Sequence, residues 1–158
     1  MTIINDLQAV KLLSDLKDSI LKKIERITTV RNYKRGDFIF KENQYADFLY
    51  AVITGKVALE LHISSVSRCR VKDVYPTETF GISSIVDTGK RIYIADGIAL
   101  QDSKVFCWRG NDLERLFYED FELGFIFMRN TGKILKNRLQ YTRAQLAEGL
   151  YAVQYQSA

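Results

Sequence analysis

A change of hydrophobic period, from helical to alternating and back, limits the folds open to this chain more than any other feature. From about residue 30 to residue 108, apolar and polar residues alternate, as in short half-buried strands. The clearest alternating segments are Asp37–Phe40, Phe48–Ile53, Lys56–Leu61 and Ser103–Trp108. Turn signals rich in Gly, Asn and Asp separate them, and this spacing of short strands predicts an antiparallel barrel or roll.

Helical periodicity lies on both sides of this strand region. At the N-terminal end, Ser14 or Asp15 could cap a second helix inside the pattern, so two short helices are as compatible with it as one. At the C-terminal end, Asn111 or Asp112 is a candidate cap for a short helix, and a longer helix follows. We therefore predict one mainly β domain over 1–158, with flanking helices: helical over 5–28, a β-roll over 29–109 and C-terminal helices over 111–153.

The long C-terminal helix carries an apolar seam. The seam follows four- and three-residue steps that approximate a heptad, through Leu135, Leu139, Thr142, Leu146, Leu150 and Val153. Such a seam can pack on the chain's own sheet or pair with a second copy. The predicted helix runs from about Asp120 toward Tyr151. At 1.5 Å per residue it spans ~45 Å and would extend beyond a domain of this size. We therefore favour a homodimer formed through this helix.

Composition excludes several classes of function. No apolar run approaches the ~20 residues that cross a bilayer, and the N-terminal segment is too polar for a signal peptide, so we expect a cytoplasmic protein without membrane contact. The two cysteines, Cys69 and Cys107, match no metal-binding spacing, and the single histidine, His62, occupies a polar strand position where we expect it to be solvated. We therefore expect no catalytic residues, no metal ligands and no cofactor, and we rank an enzyme far behind a binding module.

Two segments carry a family resemblance. The chain reads Tyr33-Lys34-Arg35-Gly36-Asp37-Phe38-Ile39-Phe40 and later Ala46-Asp47-Phe48-Leu49-Tyr50, then Gly55-Lys56-Val57. This resembles the "Gly-Asp-x-Ile-Phe … Ala-Asp-x-x-Tyr … Gly-x-Val" pattern of cyclic-nucleotide-binding domains of the cAMP receptor protein type. The resemblance covers roughly Leu12 to Leu150 and implies a jelly-roll-like β-roll with N-terminal helices and a long C-terminal dimerisation helix.

In that family the ligand is held by a phosphate-binding cassette, which residues 80–95 resemble. A glycine lets the backbone approach the phosphate, and a short helix directs N–H groups at it. The family adds a Glu directly after this glycine for the ribose hydroxyl, and an Arg two residues before an alanine for the phosphate. This chain keeps Gly81 and Ala95 but has Ile82 and Tyr93 at the two anchor positions.

The resemblance also supplies the remaining candidate contacts. Lys90 or Arg91 could serve an anion in place of the missing Arg, and Thr77 stands where glycine is common in the family. On the long helix, Arg138 and Thr142 match positions beside the ribose and the purine. The full candidate cassette is Gly81, Ile82, Ser83, Ser84, Lys90, Arg91, Tyr93, Ile94 and Ala95.

These substitutions predict a sensor domain with a degenerate cassette and no tight cAMP binding, since each charged hydrogen bond is worth ~1.5–3 kcal/mol. Its effector would be a cyclic nucleotide held weakly or another small anion. A ligand-free dimerising or partner-binding module is the alternative. Family members that regulate transcription carry a helix-turn-helix after the long helix. Because this chain ends at Ala158, we expect no direct DNA binding, and either a stand-alone sensor or the sensor half of a regulator.

Overall fold

Residues 3–156 are described by the computed structural model of the chain, which begins with two short helices. Helix α1 spans Ile3–Ala9 and α2 spans Asp18–Arg26, so the two-helix interpretation is confirmed. The predicted caps are wrong, because the residue that precedes α2 as N-cap is Lys17 and its side chain makes no capping bond. Ser14 instead donates its hydroxyl to the carbonyl of Lys11 at 3.1 Å, within a turn whose leucines are buried.

Eight strands form two antiparallel sheets, which confirms the predicted β-roll. The strands are β1 Thr29–Tyr33, β2 Phe38–Phe40, β3 Phe48–Thr54, β4 Val57–His62, β5 Arg68–Val74, β6 Thr79–Phe80, β7 Asp96–Ala99 and β8 Ser103–Arg109. The first sheet has the order β1-β8-β3-β6 and the second β2-β7-β4-β5. A one-turn 3-10 helix, Ile82–Ser84, follows β6.

Strand β3 separates two apolar cores, because its successive side chains point to opposite faces. Leu49 and Ala51 belong to a core shared with the helices, while Tyr50 and Val52 belong to the core inside the roll. β3 is therefore buried on both faces, and the segment after β6 lies next to it. The β3–β6 pairing joins Tyr50 to Phe80, directly before that segment.

Two helices follow the roll: α3 spans Gly110–Glu119 and α4 spans Phe121–Gln156. The cap predicted for α3 is wrong, since its N-cap is Arg109 and Asn111 and Asp112 lie inside the first turn. Asp120, directly before α4, accepts a hydrogen bond from the amide of Leu123 at 3.0 Å. The 36 residues of α4 give a length of about 54 Å at 1.5 Å per residue.

Among the described residues, those of helix α4 that are buried lie in its first half. Leu123, Phe127, Asn130 and Thr131 are buried there. Beyond them the predicted seam is open to solvent: Leu139 and Leu146 are 58% and 63% exposed. In this structure the seam leucines beyond Leu135 are therefore not buried against the chain's own sheet. None of the helices within residues 3–156 combines the length and apolar character that crossing a membrane requires.

Candidate functional site

The segment after β6 turns sharply at Gly81. The backbone of Gly81 is left-handed, with φ of 81°, and a Cβ there would lie 2.9 Å from the carbonyl oxygen of Phe48. Both the positive φ and the close approach favour glycine. Ser84, fully buried, donates its hydroxyl to the Gly81 carbonyl at 2.9 Å and closes the turn. Gly81 and Ser84 thus fix the shape of this turn, and its use as a phosphate cradle stays a prediction.

The Arg91 side chain holds this turn against α3. Its Nη2 donates to the carbonyl oxygen of Ser84, and its Nη1 donates to Asn111 Oδ1 at 2.7 Å and lies 3.8 Å from Glu114 Oε2. A Cβ on Gly110 would collide with the same guanidinium, so glycine at the start of α3 leaves room for it. Lys90, the other candidate cation, is exposed, and neither Lys90 nor Arg91 lines the cavities described below.

Tyr93 is fixed inside the roll by its hydroxyl and by its ring. The hydroxyl donates to the carbonyl oxygen of Phe48 at 2.8 Å and accepts from the amide of Phe48 at 3.0 Å. The ring stacks on Phe40 with centroids 3.9 Å apart and is 4% exposed. Burial raises the pKa of the Tyr93 phenol, so it stays neutral. A neutral ring therefore fills the place where the resemblance leads one to expect a guanidinium.

A cavity of about 240 Å³ lies beside this ring. Six candidate cassette residues line it: Gly81, Ile82, Ser83, Tyr93, Ile94 and Ala95. Leu135 and Arg138 of α4 complete its lining, together with Phe40, Leu59 and Val86. Arg138 is the one charged residue among these lining residues, and none of them is a carboxylate. The cavity is thus apolar with a single cation at its edge.

A larger groove of about 810 Å³ runs between β5 and α4 and shares Leu59, Ile94 and Arg138 with the cavity. Thr142 lines this groove and not the smaller cavity. Arg138 Nη2 donates to the carbonyl oxygen of Thr79 at 2.5 Å. Burial lowers the pKa of the Arg138 guanidinium, and the charge of Glu78 opposes that shift. Arg138 therefore lines both the small cavity and the larger groove.

The structure thus brings together the cassette turn, Tyr93 and Arg138, but leaves the seam leucines beyond Leu135 outside both spaces. Sequence reasoning missed Phe40, Leu59 and Val86 as lining residues. Phe40 ends the "Gly-Asp-x-Ile-Phe" motif and Leu59 lies in a predicted strand. The alternating pattern predicted that both side chains would be buried, but it could not predict which cavity they would line.

The single histidine lies in a separate polar cluster. His62 Nε2 is 2.6 Å from Asp96 Oδ2, and Asp96, 2% exposed, also accepts from the amide of Glu42 at 2.8 Å. The prediction of a solvated strand histidine is confirmed, because His62 is the exposed last residue of β4, and its ring also contacts the nearly buried carboxylate of Asp96. Within residues 3–156, no group of three or more His, Cys, Asp or Glu residues is placed to hold a metal ion.

Comparison with known proteins agrees with the fold. A family model described as "Cyclic nucleotide-binding domain" matches residues 30–120, more than half of the chain. A search of curated proteins finds no match. A structure from Geobacter metallireducens GS-15, described as a cyclic nucleotide-binding protein, superposes with a TM-score of 0.76 at 29% identity, over 88% of this chain and 99% of its own.

Two further solved structures are similar, one described as a domain of a transcriptional regulator and the other as a catabolite activator protein. The N-terminal domain of a transcriptional regulator from Streptomyces coelicolor A3(2) has a TM-score of 0.70 at 26% identity, over 84% of this chain and 93% of its own. The catabolite activator protein of Thermus thermophilus has a TM-score of 0.72 at 23% identity, over 87% of this chain and 62% of its own, a likeness of fold alone.

Proposed function

The chain belongs to the cyclic nucleotide-binding domain family, and we propose that it is a non-enzymatic regulatory sensor domain of the cytoplasm that does not bind cyclic nucleotides tightly. One observation carries the proposal. Tyr93 occupies the expected phosphate-clamp position with a buried, neutral ring whose hydroxyl is bonded on both sides to the backbone of Phe48. It cannot turn toward a ligand without leaving those two groups unpaired.

The missing contacts determine how much weaker the binding of a cyclic nucleotide is expected to be. A cyclic nucleotide in the cavity would meet Ile82 at its ribose and Tyr93 at its phosphate, with Arg138 as the one lining cation. Two absent charged hydrogen bonds, at ~1.5–3 kcal/mol each, amount to about 3–6 kcal/mol. Because each 1.4 kcal/mol is tenfold in Kd, affinity would fall by about two to four orders of magnitude.

A thermal-shift measurement with 1 mM cAMP or cGMP tests the proposal. A ligand with a Kd of 1 μM would add about 4.1 kcal/mol at that concentration, or roughly 8–16 °C in Tm for a chain of this size. A Kd near 500 μM would add only about 0.7 kcal/mol, or roughly 1–3 °C. We expect the smaller shift, and a rise of more than about 8 °C would contradict the proposal.

The exposed seam of α4 supports a second candidate function, a dimerising module. Leu139, Leu146 and Leu150 are each more than half exposed in the single chain, and they repeat at near-heptad steps. A second copy aligned along the helix would cover them. We propose this homodimer as the assembly of the domain, whether or not a ligand binds.

Sedimentation of matched double variants tests the dimer. Leu139→Glu with Leu146→Glu places like charges on the seam and is expected to give a monomer. Gln140→Glu with Ala147→Glu has the same spacing at exposed positions one residue further on, and is expected to remain dimeric. A wild-type chain that sediments as a monomer at tens of micromolar would exclude the assembly.

A further inference from the structure

The smaller cavity has the lining and the size for a compact apolar group. Phe40, Ile82, Val86 and Leu135 contribute apolar side chains to its lining, and the stacked Phe40 and Tyr93 rings both border it. An apolar protein cavity of about 150 Å³ is enough to hold a benzene molecule. At about 240 Å³, this one has room for a ring or a short alkyl chain with a small substituent.

Arg138 differs from the other cations that line the groove. Lys11 and Lys72 lie 3.2 and 3.4 Å from carboxylate oxygens of Glu78, and Arg70 lies 3.8 Å from Asp73 Oδ1. Over residues 3–156, Arg138 has no carboxylate oxygen within 4.0 Å, and its hydrogen bond goes to a neutral carbonyl, that of Thr79. The charge of Glu78 acts on Arg138 from a greater distance, but Glu78 also pairs with Lys11 and Lys72. A partly desolvated guanidinium without a bonded carboxylate favours an anion that can reach it.

A second polar group at the same place also lacks a partner. The hydroxyl oxygen of Thr79, a residue 2% exposed, makes no hydrogen bond within the described part of the chain. Thr79 lines the groove beside Arg138 and supplies the carbonyl that Arg138 contacts. The groove beside the cavity thus holds a guanidinium without a bonded carboxylate, next to a buried hydroxyl that makes no hydrogen bond within the described residues.

We propose that this site binds a monocarboxylate with a compact apolar body, the body in the small cavity and the carboxylate on Arg138. The inference rests on the proposed function, because it requires a cassette that is not reserved for a cyclic nucleotide. One cation at the end of an apolar cavity matches one carboxylate. A planar guanidinium offers that group two parallel donors.

Titration calorimetry with phenylacetate and hexanoate tests the proposal, with phenylacetamide and hexanamide as neutral controls of the same shape. Both acids are expected to bind, each at least about tenfold tighter than its amide, since the amide lacks the charge-assisted bond. Tighter binding of phenylacetate would indicate that the natural ligand is an aromatic acid, and tighter binding of hexanoate that it is an alkyl acid.

Matched variants locate the site. Arg138→Gln is expected to weaken either acid by about tenfold or more, while Arg143→Gln, at an exposed position of the same helix that lines neither space, should change affinity by less than about twofold. Val86→Trp, which fills the cavity from a partly exposed position, should weaken acid and amide alike. Thermal unfolding of each variant establishes that it is folded.

The outcomes separate the two proposals. Absence of acid binding up to about 10 mM, equal affinity for acid and amide, or an unchanged affinity in folded Arg138→Gln would overturn the monocarboxylate site and leave the proposed function in place. Micromolar binding of cAMP by the wild-type chain would overturn the proposed function itself.

Discussion

Replacing Tyr93 by Phe isolates the contribution of one hydroxyl to the cassette. The phenylalanine ring can keep the stack on Phe40, whose centroid lies 3.9 Å away, while both hydrogen bonds to the Phe48 backbone are lost. An unsatisfied buried polar group costs ~1–3 kcal/mol, and two such groups are left. We expect the free energy of unfolding to fall by about 2–6 kcal/mol, or roughly 4–24 °C in Tm.

Urea unfolding followed by tryptophan fluorescence measures this loss. The single tryptophan, Trp108, is buried and donates its indole N–H to Thr28 Oγ1 at 2.8 Å, so it reports on the folded core. Tyr118→Phe, at a side chain that is 72% exposed, is the matched control and should change stability by less than about 0.5 kcal/mol. If Tyr93→Phe were as mild as this control, the hydroxyl would not be fixed, and the argument that Tyr93 closes the phosphate position would fail.

Three further predictions test the geometry around the cassette. Gly81→Ala should destabilise the fold by about 2 kcal/mol or more in the same urea assay, because its φ of 81° and the nearby Phe48 carbonyl both oppose a Cβ; an unchanged midpoint would show that the turn adjusts. Thr77→Gly should stabilise it by about 0.5–1 kcal/mol, since Thr77 holds a φ of 74° that glycine adopts without strain; a loss of stability would mean that the Thr77 side chain contributes more than its backbone costs. At pH 8 a thiol reagent should label the exposed Cys69 and leave Cys107 unreacted until the chain unfolds, because burial raises the pKa of the Cys107 thiol to about 12, with Arg31 opposing; two rapidly labelled thiols in the native protein would contradict this.

Each strand that sequence reasoning found has a buried face and shows alternation, whereas β7 is largely buried but its four residues, Asp96–Ala99, show no alternation. β2, β3, β4 and β8 carry alternation because one or both faces pack in a core. β1 and β5 lie at sheet edges and are mostly exposed, so no apolar period marks Thr29–Tyr33 or the charged Arg68–Val74. β6 has two residues, too few for any period to show.

At the site, too, the sequence predicted the features that depend on neighbouring residues but not the contacts between residues far apart along the chain. The resemblance located the two changed anchor positions, and the left-handed turn at Gly81 follows from glycine itself. The partners of Tyr93 lie 45 residues away along the chain, and Asn111, which Arg91 contacts, lies 20 residues away. No local pattern encodes such contacts, because they depend on how the strands and helices pack.

A calorimetric titration of cAMP into the wild-type chain tests the central claim most directly, since it measures the affinity that Ile82 and Tyr93 should reduce. The geometry predicts a Kd no tighter than high micromolar, because the lining residues offer the nucleotide one cation and no carboxylate. A submicromolar Kd would contradict it, and would mean that Arg91 leaves Ser84 and Asn111 to hold the phosphate.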